Sequence, residues 1–185
     1  MKSGVSAAVP DWTRERKRPL QWSPSRSLLA AIRAYQRHAA SGNPFVRIVL
    51  RRLAVLRHRF WSVVTGADIP LDARLGGGLL LPHPNGIVIH PNAEIGPNCL
   101  IFQQVTIGTR GTEGVPRIGG HVDIGAGARL LGGISVGDHA RIGANAVVLC
   151  DVPPGGMAVG VPATIVVADR VPVPAGRLIE EEEQT

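Results

Sequence analysis

Residues 118–148 read IGGHVDIGAGARLLGGISVGDHARIGANAVV, with an aliphatic side chain at every sixth position: Ile118, Ile124, Leu130, Val136, Ile142 and Val148. Four residues after several of these stands a small side chain: Ala128, Ala140 and Ala146. Neither the 3.6-residue period of a helix nor the two-residue period of a strand explains the spacing. Six-residue units of this kind form one short strand and one corner each, and three units close a triangular coil of parallel strands. The aliphatic at the start of each unit points inward. Glycine follows directly at Leu75, Ile95, Ile107, Ile118, Ile124, Val136 and Ile142, because the corner needs a backbone shape that a Cβ would obstruct.

The same clock runs back through Ile107, Ile101, Ile95 and Ile89, and then, shifted by two, through Ile87, Leu81, Leu75 and Ile69. It predicts a mainly-β fold, a left-handed parallel β-helix over residues 67–168, preceded by two α-helices. The clock breaks twice. Between Ile107 and Ile118 it skips, so Thr109–Arg117 (TRGTEGVPR) is expected to bulge as a loop, and loops on a rigid scaffold are where binding chemistry concentrates. In LLLPHPNGIVIHP, Pro82, Pro84 and Gly86 interrupt the repeat around His83. Asp151-Val152-Pro153-Pro154-Gly155-Gly156 is expected to end the prism, followed by a last strand.

Ahead of the prism, residues 1–24 carry Pro10, Pro19, Pro24 and the cluster Arg14, Arg16, Lys17, Arg18; they read as a disordered basic arm. Residues 25–66 form a helical segment. Its first helix, Ser25–Ala40, has Ser25 as N-cap, Leu28, Leu29, Ile32 and Tyr35 at helical spacing, and Gly42 beyond its end. The second opens on Asn43 and Pro44 and runs to about Thr65, where Gly66 closes it. Val46, Val49, Leu50, Leu53, Leu56, Phe60 and Val64 share one broad face, and Arg47, Arg51, Arg52, Arg57 and Arg59 the other. Such a helix either lies in a membrane interface or packs on the β-helix with its arginines solvated. Packing is the preferred reading. Residues 169–185 form a tail with the acidic stretch Glu180–Glu183.

At 185 residues the chain fits one principal domain with an appendage. Aromatics make up only 4% and stand mostly before residue 62, as expected of a narrow prism filled by Val, Ile and Leu. The net charge of +6 comes mainly from arginines within 14–59; no nucleic-acid-binding module or aromatic interleaving accompanies it, so no nucleic-acid partner is expected. No secretory segment and no apolar run of membrane-spanning length occur, which makes the cytoplasm the expected compartment. Cys99 and Cys150 fall in repeat positions and read as small buried hydrophobes.

Of the six histidines, His38 and His58 lie among helical arginines and read as solvated, while His121 and His139 fall at outward corners. His90, also at a corner, is a weaker second candidate. His83 stands in the break of the lattice, where local rules often yield to function; the prolines alone would also account for that break. Asp68 lies 15 residues earlier, close to one coil. There it either orients the imidazole as a general base requires or merely caps the prism.

These residues carry a resemblance. Asp68 to Val166 is similar to the catalytic half of the serine O-acetyltransferases, members of the hexapeptide-repeat acyltransferase superfamily. The matching stretches are DIP, four residues later LGGGLLLPHPNGIVI, then QQVTIG, IGAGARLLG, IGANAVVL, VPPGG and GVPA. The resemblance implies an acetyl-CoA-dependent O-acetyltransferase with no metal, working as a homotrimer with acetyl-CoA in the groove between two prisms. It implies His83 as the general base and Asp68 as its orienting carboxylate. Gly108, Ala126 and Ala144 would meet the pantetheine arm, and Arg141 the phosphates of CoA.

The chain also departs from the family. The carboxylate expected just before the catalytic His is Pro82, and the Arg-His pair expected before Pro-Lys-Ile is replaced by Gly114-Val115 before Pro116-Arg117-Ile118. Arg110, Glu113 and Arg117 are the substitutes available for an acceptor. That acceptor is L-serine, as in cysteine biosynthesis, or a sugar or other metabolite hydroxyl. Two alternatives stand beside this reading. A γ-type carbonic anhydrase would need three imidazoles on a metal, with His83, His90 and His121 as candidates. A non-catalytic trimeric scaffold would dock partners through its basic helices.

Overall fold

The computed structural model describes residues 5–17, 21–38 and 44–166. Two helices, α1 (Pro24–His38) and α2 (Pro44–Thr65), precede thirteen short strands. The strands are β1 (Arg74–Leu75), β2 (Val88–Ile89), β3 (Glu94–Ile95), β4 (Leu100–Ile101), β5 (Thr106–Gly108), β6 (Arg117–Ile118), β7 (Asp123–Ile124), β8 (Arg129–Leu131), β9 (Ser135–Val136), β10 (Arg141–Ile142), β11 (Val147–Val148), β12 (Met157–Val159) and β13 (Thr164–Val166).

The strands stack on three faces. The first face is β2, β5, β8 and β11; the second is β1, β3, β6 and β9; the third is β4, β7, β10 and β12, with β13 added antiparallel. All other pairings are parallel, and each aliphatic of the repeat lies over its counterpart in the next coil: Ile89, Ile107, Leu130 and Val148 on the first face, Leu75, Ile95, Ile118 and Val136 on the second, Ile101, Ile124 and Ile142 on the third. This is the left-handed parallel β-helix that the six-residue period predicts. The stacked aliphatics and the small Ala93, Cys99, Ala128, Ala140 and Ala146 are buried in one continuous core. Each fully buried Ile or Leu contributes about 1.5–3 kcal/mol, so the repeat is itself the main source of stability.

The corners repeat as strictly as the strands. Between the third and first faces, Gly66, Gly86, Gln104, Gly127 and Asn145 adopt positive φ; between the second and third, Gly78, Asn98, His121, His139 and Gly155 do so. The segment Asp151–Gly156 does not end the prism: Val152 still pairs with Val136, and β12 completes a fifth coil.

Three sequence readings are corrected ahead of the prism. Residues 5–17, read as part of a disordered arm, are folded along the corner between the second and third faces. Buried Asn98 holds them there: its amide nitrogen donates to Ser6 O (2.7 Å) and Val9 O (2.8 Å), and its Oδ1 accepts from Asp11 N (2.8 Å). Glycines at 77 and 120 admit the close approach of Trp12 and of the Ala7 carbonyl. Glu15 then joins Arg33 of α1 at 3.0 Å and accepts from Leu79 N at 3.1 Å, while Arg33 donates to Leu75 O and Gly76 O, each at 2.6 Å. A proline- and arginine-rich composition looks disordered until partners for its polar groups exist, and here one Asn and one Arg supply them.

The second correction concerns α1, which starts at Pro24 rather than Ser25 and buries Leu28, Leu29, Ala31 and Ile32. The third concerns α2. It spans 22 residues but buries only Ala54 and Thr65. Its inner side meets α1 and the first coil through Arg51 on the Tyr35 ring and hydroxyl and through His58, which donates to Ile69 O at 2.8 Å and is therefore not solvated. The apolar face expected to pack on the prism is exposed. Cys99 is buried as expected, whereas Cys150 is exposed. Gly42, Asn43 and the tail from 169, with Glu180–Glu183, lie outside the described residues. Among the described residues, no helix is long and apolar enough to cross a membrane.

Candidate active site

The three-face register sorts every residue singled out in the sequence. His83 lies on the corner from the third to the first face, directly before the Asn85-Gly86 turn. Above that turn the same edge carries Gln103-Gln104, then Ala126-Gly127, then Ala144-Asn145. Backbone bonds tie the layers: Gln104 N to Asn85 O (2.9 Å), Gly127 N to Gln103 O (2.9 Å) and Asn145 N to Ala126 O (2.8 Å). His83, Ala126 and Ala144 therefore share one edge of the prism. Long side chains are absent from its upper part, so a ligand there would approach the backbone itself.

Asp68 is close to this edge but not where the sequence spacing put it. The two extra residues of the proline break make the layer interval 20 rather than 18, so Asp68 pairs with Val88 and Gly66 O accepts from Gly86 N. Asp68 and His83 are both exposed, and among the described residues no side-chain hydrogen bond reaches either. The expected Asp68–His83 hydrogen bond is thus absent from the single chain. One further group on this edge went unnoticed in the sequence: Gln103 Oε1 is buried without a partner among the described residues. It offers an unused acceptor one layer from His83.

Gly108 and the loop lie elsewhere. Gly108 ends β5, at the opposite edge of the first face, and the loop leaves from there. Residues 109–114 are exposed, and Arg110 pairs with Glu113 at 3.7 Å, so these two largely compensate each other's charge. Arg117 belongs to β6 rather than to the loop. On the second face it stands in an outward column, Arg74–Glu94–Arg117–Ser135, each residue one place before a core aliphatic. Arg74 and Glu94 form an ion pair at 2.5 Å. With Asn92, Gly114, Val115 and Gly133, this column lines a cavity of about 500 Å³ beneath the loop. The column was readable in principle, since the residue before each repeat aliphatic must point outward. Arg141 is exposed on β10 of the third face.

The first face thus has a histidine edge on one side and a loop-and-cavity edge on the other. His83, His90 and His121 fall on three different corners, since His90 N bonds Ile107 O beside Gly108 and His121 lies opposite. One chain does not bring them to a common point. His121 instead bonds His139 one coil above, Nδ1 to Nδ1 at 2.8 Å, so that one ring donates and the other accepts.

No family model matches the chain. It is 42% identical over 129 residues to the serine acetyltransferase of Mycobacterium tuberculosis, which covers 68% of this chain and 56% of that relative. A solved serine acetyltransferase in complex with CoA superposes with a TM-score of 0.65 at 36% identity, covering 80% of this chain and 59% of the other. Soybean serine acetyltransferase complexed with serine superposes with a TM-score of 0.58 at 37% identity, covering 76% of this chain and 70% of the other. The chain spans little more than half the length of the M. tuberculosis relative. On these grounds the chain belongs to the serine acetyltransferase family.

Proposed function

We propose that the chain is an acetyl-CoA-dependent O-acetyltransferase of the cytoplasm, acting on the hydroxyl of L-serine or of a related small metabolite. The observation that carries this reading is the edge on which an exposed imidazole shares one column of corners with the small residues Ala126 and Ala144, the Gln103-Gln104 layer between them. His83 takes the proton from the acceptor hydroxyl, whose oxygen then attacks the thioester carbonyl. A backbone N–H steadies the oxyanion of the tetrahedral intermediate. Collapse expels the CoA thiolate, which recovers the proton from the His83 imidazolium. Asp68 orients the ring once the site is assembled, and Arg141 serves the phosphates of CoA. Arg110, Glu113 and Arg117 border the acceptor.

Because the imidazole and the loop occupy opposite edges of one face, a second copy must supply the missing edge. A homotrimer, in which the His83 edge of each prism lies against the loop edge of the next, closes three such sites. The acceptor is the open variable: Pro82 and Gly114-Val115 provide neither charge for an amino acid, which leaves Arg110, Glu113 and Arg117, with the Arg74–Glu94 pair of the cavity beneath the loop, to supply it.

Thiol release from acetyl-CoA, with L-serine compared against a panel of sugar and metabolite hydroxyls, tests the proposal. His83→Ala is expected to lower the rate by roughly 10²–10⁴-fold with the thermal midpoint unchanged. Release unaffected by that substitution would overturn the assignment of the base, and silence with every acceptor would overturn the activity.

A further inference from the structure

The α2 helix carries a row of exposed apolar side chains that nothing among the described residues covers: Val49, Leu53, Leu56, Phe60 and Val63, spaced four, three, four and three apart. Leu56 is 61% exposed, Phe60 57% and Val63 84%. Spacing of this kind keeps a row on one side of a helix. Val64 widens the row, and the helix end adds aromatic bulk: Trp22, itself 71% exposed, meets Trp61 edge to face at 5.5 Å, and Phe60 meets Trp61 at 5.0 Å.

The flanks of the row are cationic. Arg52 and Arg59 border it on one side and Arg57 on the other, all exposed, while Arg51 turns inward to Tyr35. Neither α1 nor α2 contains an Asp or Glu. An apolar stripe flanked by Arg52 and Arg59 on one side and Arg57 on the other, with Trp and Phe at its end, matches a helix lying in the headgroup region of an anionic bilayer. The same pattern argues against a second copy of α2 as occupant. Packing two such rows together would set the arginines of one helix against those of the other, and like charges across a helix seam repel. At about 1.5 Å per residue the helix is roughly 33 Å long, and it would lie along the surface, not through it.

We propose that α2 is a membrane-surface anchor which seats Leu53, Leu56, Phe60 and Val63 among the acyl chains of an anionic bilayer, with Arg52, Arg57 and Arg59 on the headgroups. The inference does not depend on the acetyl-transfer reading, since none of these residues lies on either edge of the first face.

Co-sedimentation of the full chain with vesicles tests it, comparing phosphatidylcholine alone with phosphatidylcholine containing phosphatidylglycerol. Three arginines, each worth about a factor of five near an anionic surface, give an expected preference of roughly a hundredfold for the anionic vesicles. That preference should fall as salt is raised. Replacing Leu53→Glu together with Leu56→Glu should abolish binding, and Arg52→Gln, Arg57→Gln and Arg59→Gln together should remove the preference, each with unchanged circular dichroism and melting. Equal binding to both vesicle types, or none to either, would overturn the anchor. So would a double Glu variant that pellets like the parent or whose mass in sedimentation equilibrium drops below the parent's, since that drop would make the face a contact between copies.

Discussion

The prism and the second helix both carry strictly periodic apolar rows, and only the prism buries its own. Ile101, Ile107, Ile124 and Leu130 are wholly inaccessible, whereas Leu53, Leu56 and Phe60 stand in the open. A six-residue period on a coiling backbone turns every aliphatic toward the same axis, so the prism is its own partner. A helical row defines a direction but not what lies in that direction. Between these cases sits α1, whose row is covered because Glu15, Arg33 and Gln36 bind it to the first coil; Gln36 donates to Leu71 O and Ala73 O at 3.1 and 3.0 Å.

The contrast can be broken most forcefully from the prism side. Ile124→Ala, which empties space in the middle coil, is expected to cost about 2–5 kcal/mol in chemical denaturation. A cost below that range would mean that the coils slide to fill the gap. Asn98→Ala comes next, at roughly 1–3 kcal/mol, because it removes every hydrogen bond that this side chain makes to residues 6–11 and leaves their backbone groups unpaired. The accompanying prediction is faster proteolysis within residues 5–17 with the prism intact. Cleavage unchanged by the substitution would show that Glu15, with Arg14 donating to the Asn98 backbone carbonyl at 2.6 Å, suffices to hold the segment.

Cys99 sharpens the same comparison by chemistry. Burial holds its thiol up to about 11, above the ordinary 9.0, so the neutral form is favoured in the fold. That contribution is complete below about 9 and is lost as pH rises through 11. At neutral pH one thiol, Cys150, should react with a disulfide reagent in the native protein and two after denaturation; rapid reaction of both would contradict the closed core. The smallest effect belongs to the helix. Leu53→Glu is expected to change stability by no more than about 0.5 kcal/mol, and a larger loss would mean that α2 is covered after all.

The parts of the molecule legible in the sequence are those whose physics is local and repeated. The aliphatic clock, its glycines and its two breaks located the coils, the exposed loop and the corner of His83. What remained hidden depended on single long-range contacts. Asn98 anchors residues that look disordered by composition, because one buried amide is invisible in a proline- and arginine-rich stretch. The layer interval of 20 at the proline break moved Asp68 beneath Val88, since an insertion displaces every residue after it. The column Arg74–Glu94–Arg117–Ser135 is obvious once the coils are stacked and scattered when they are not. For the candidate site, the sequence supplied the residues and the register supplied their division between two edges.

That division carries the account and can be tested by mixing chains. A His83→Ala chain keeps an intact loop edge, and a chain with Arg110→Ala, Glu113→Ala and Arg117→Ala together keeps an intact histidine edge. Co-refolded in equal amounts, the two should release thiol from acetyl-CoA well above the mean of the separate variants, because mixed oligomers pair one good edge with the other. Activity that never exceeds that mean, with mixed oligomers demonstrably formed, would contradict a site shared between copies.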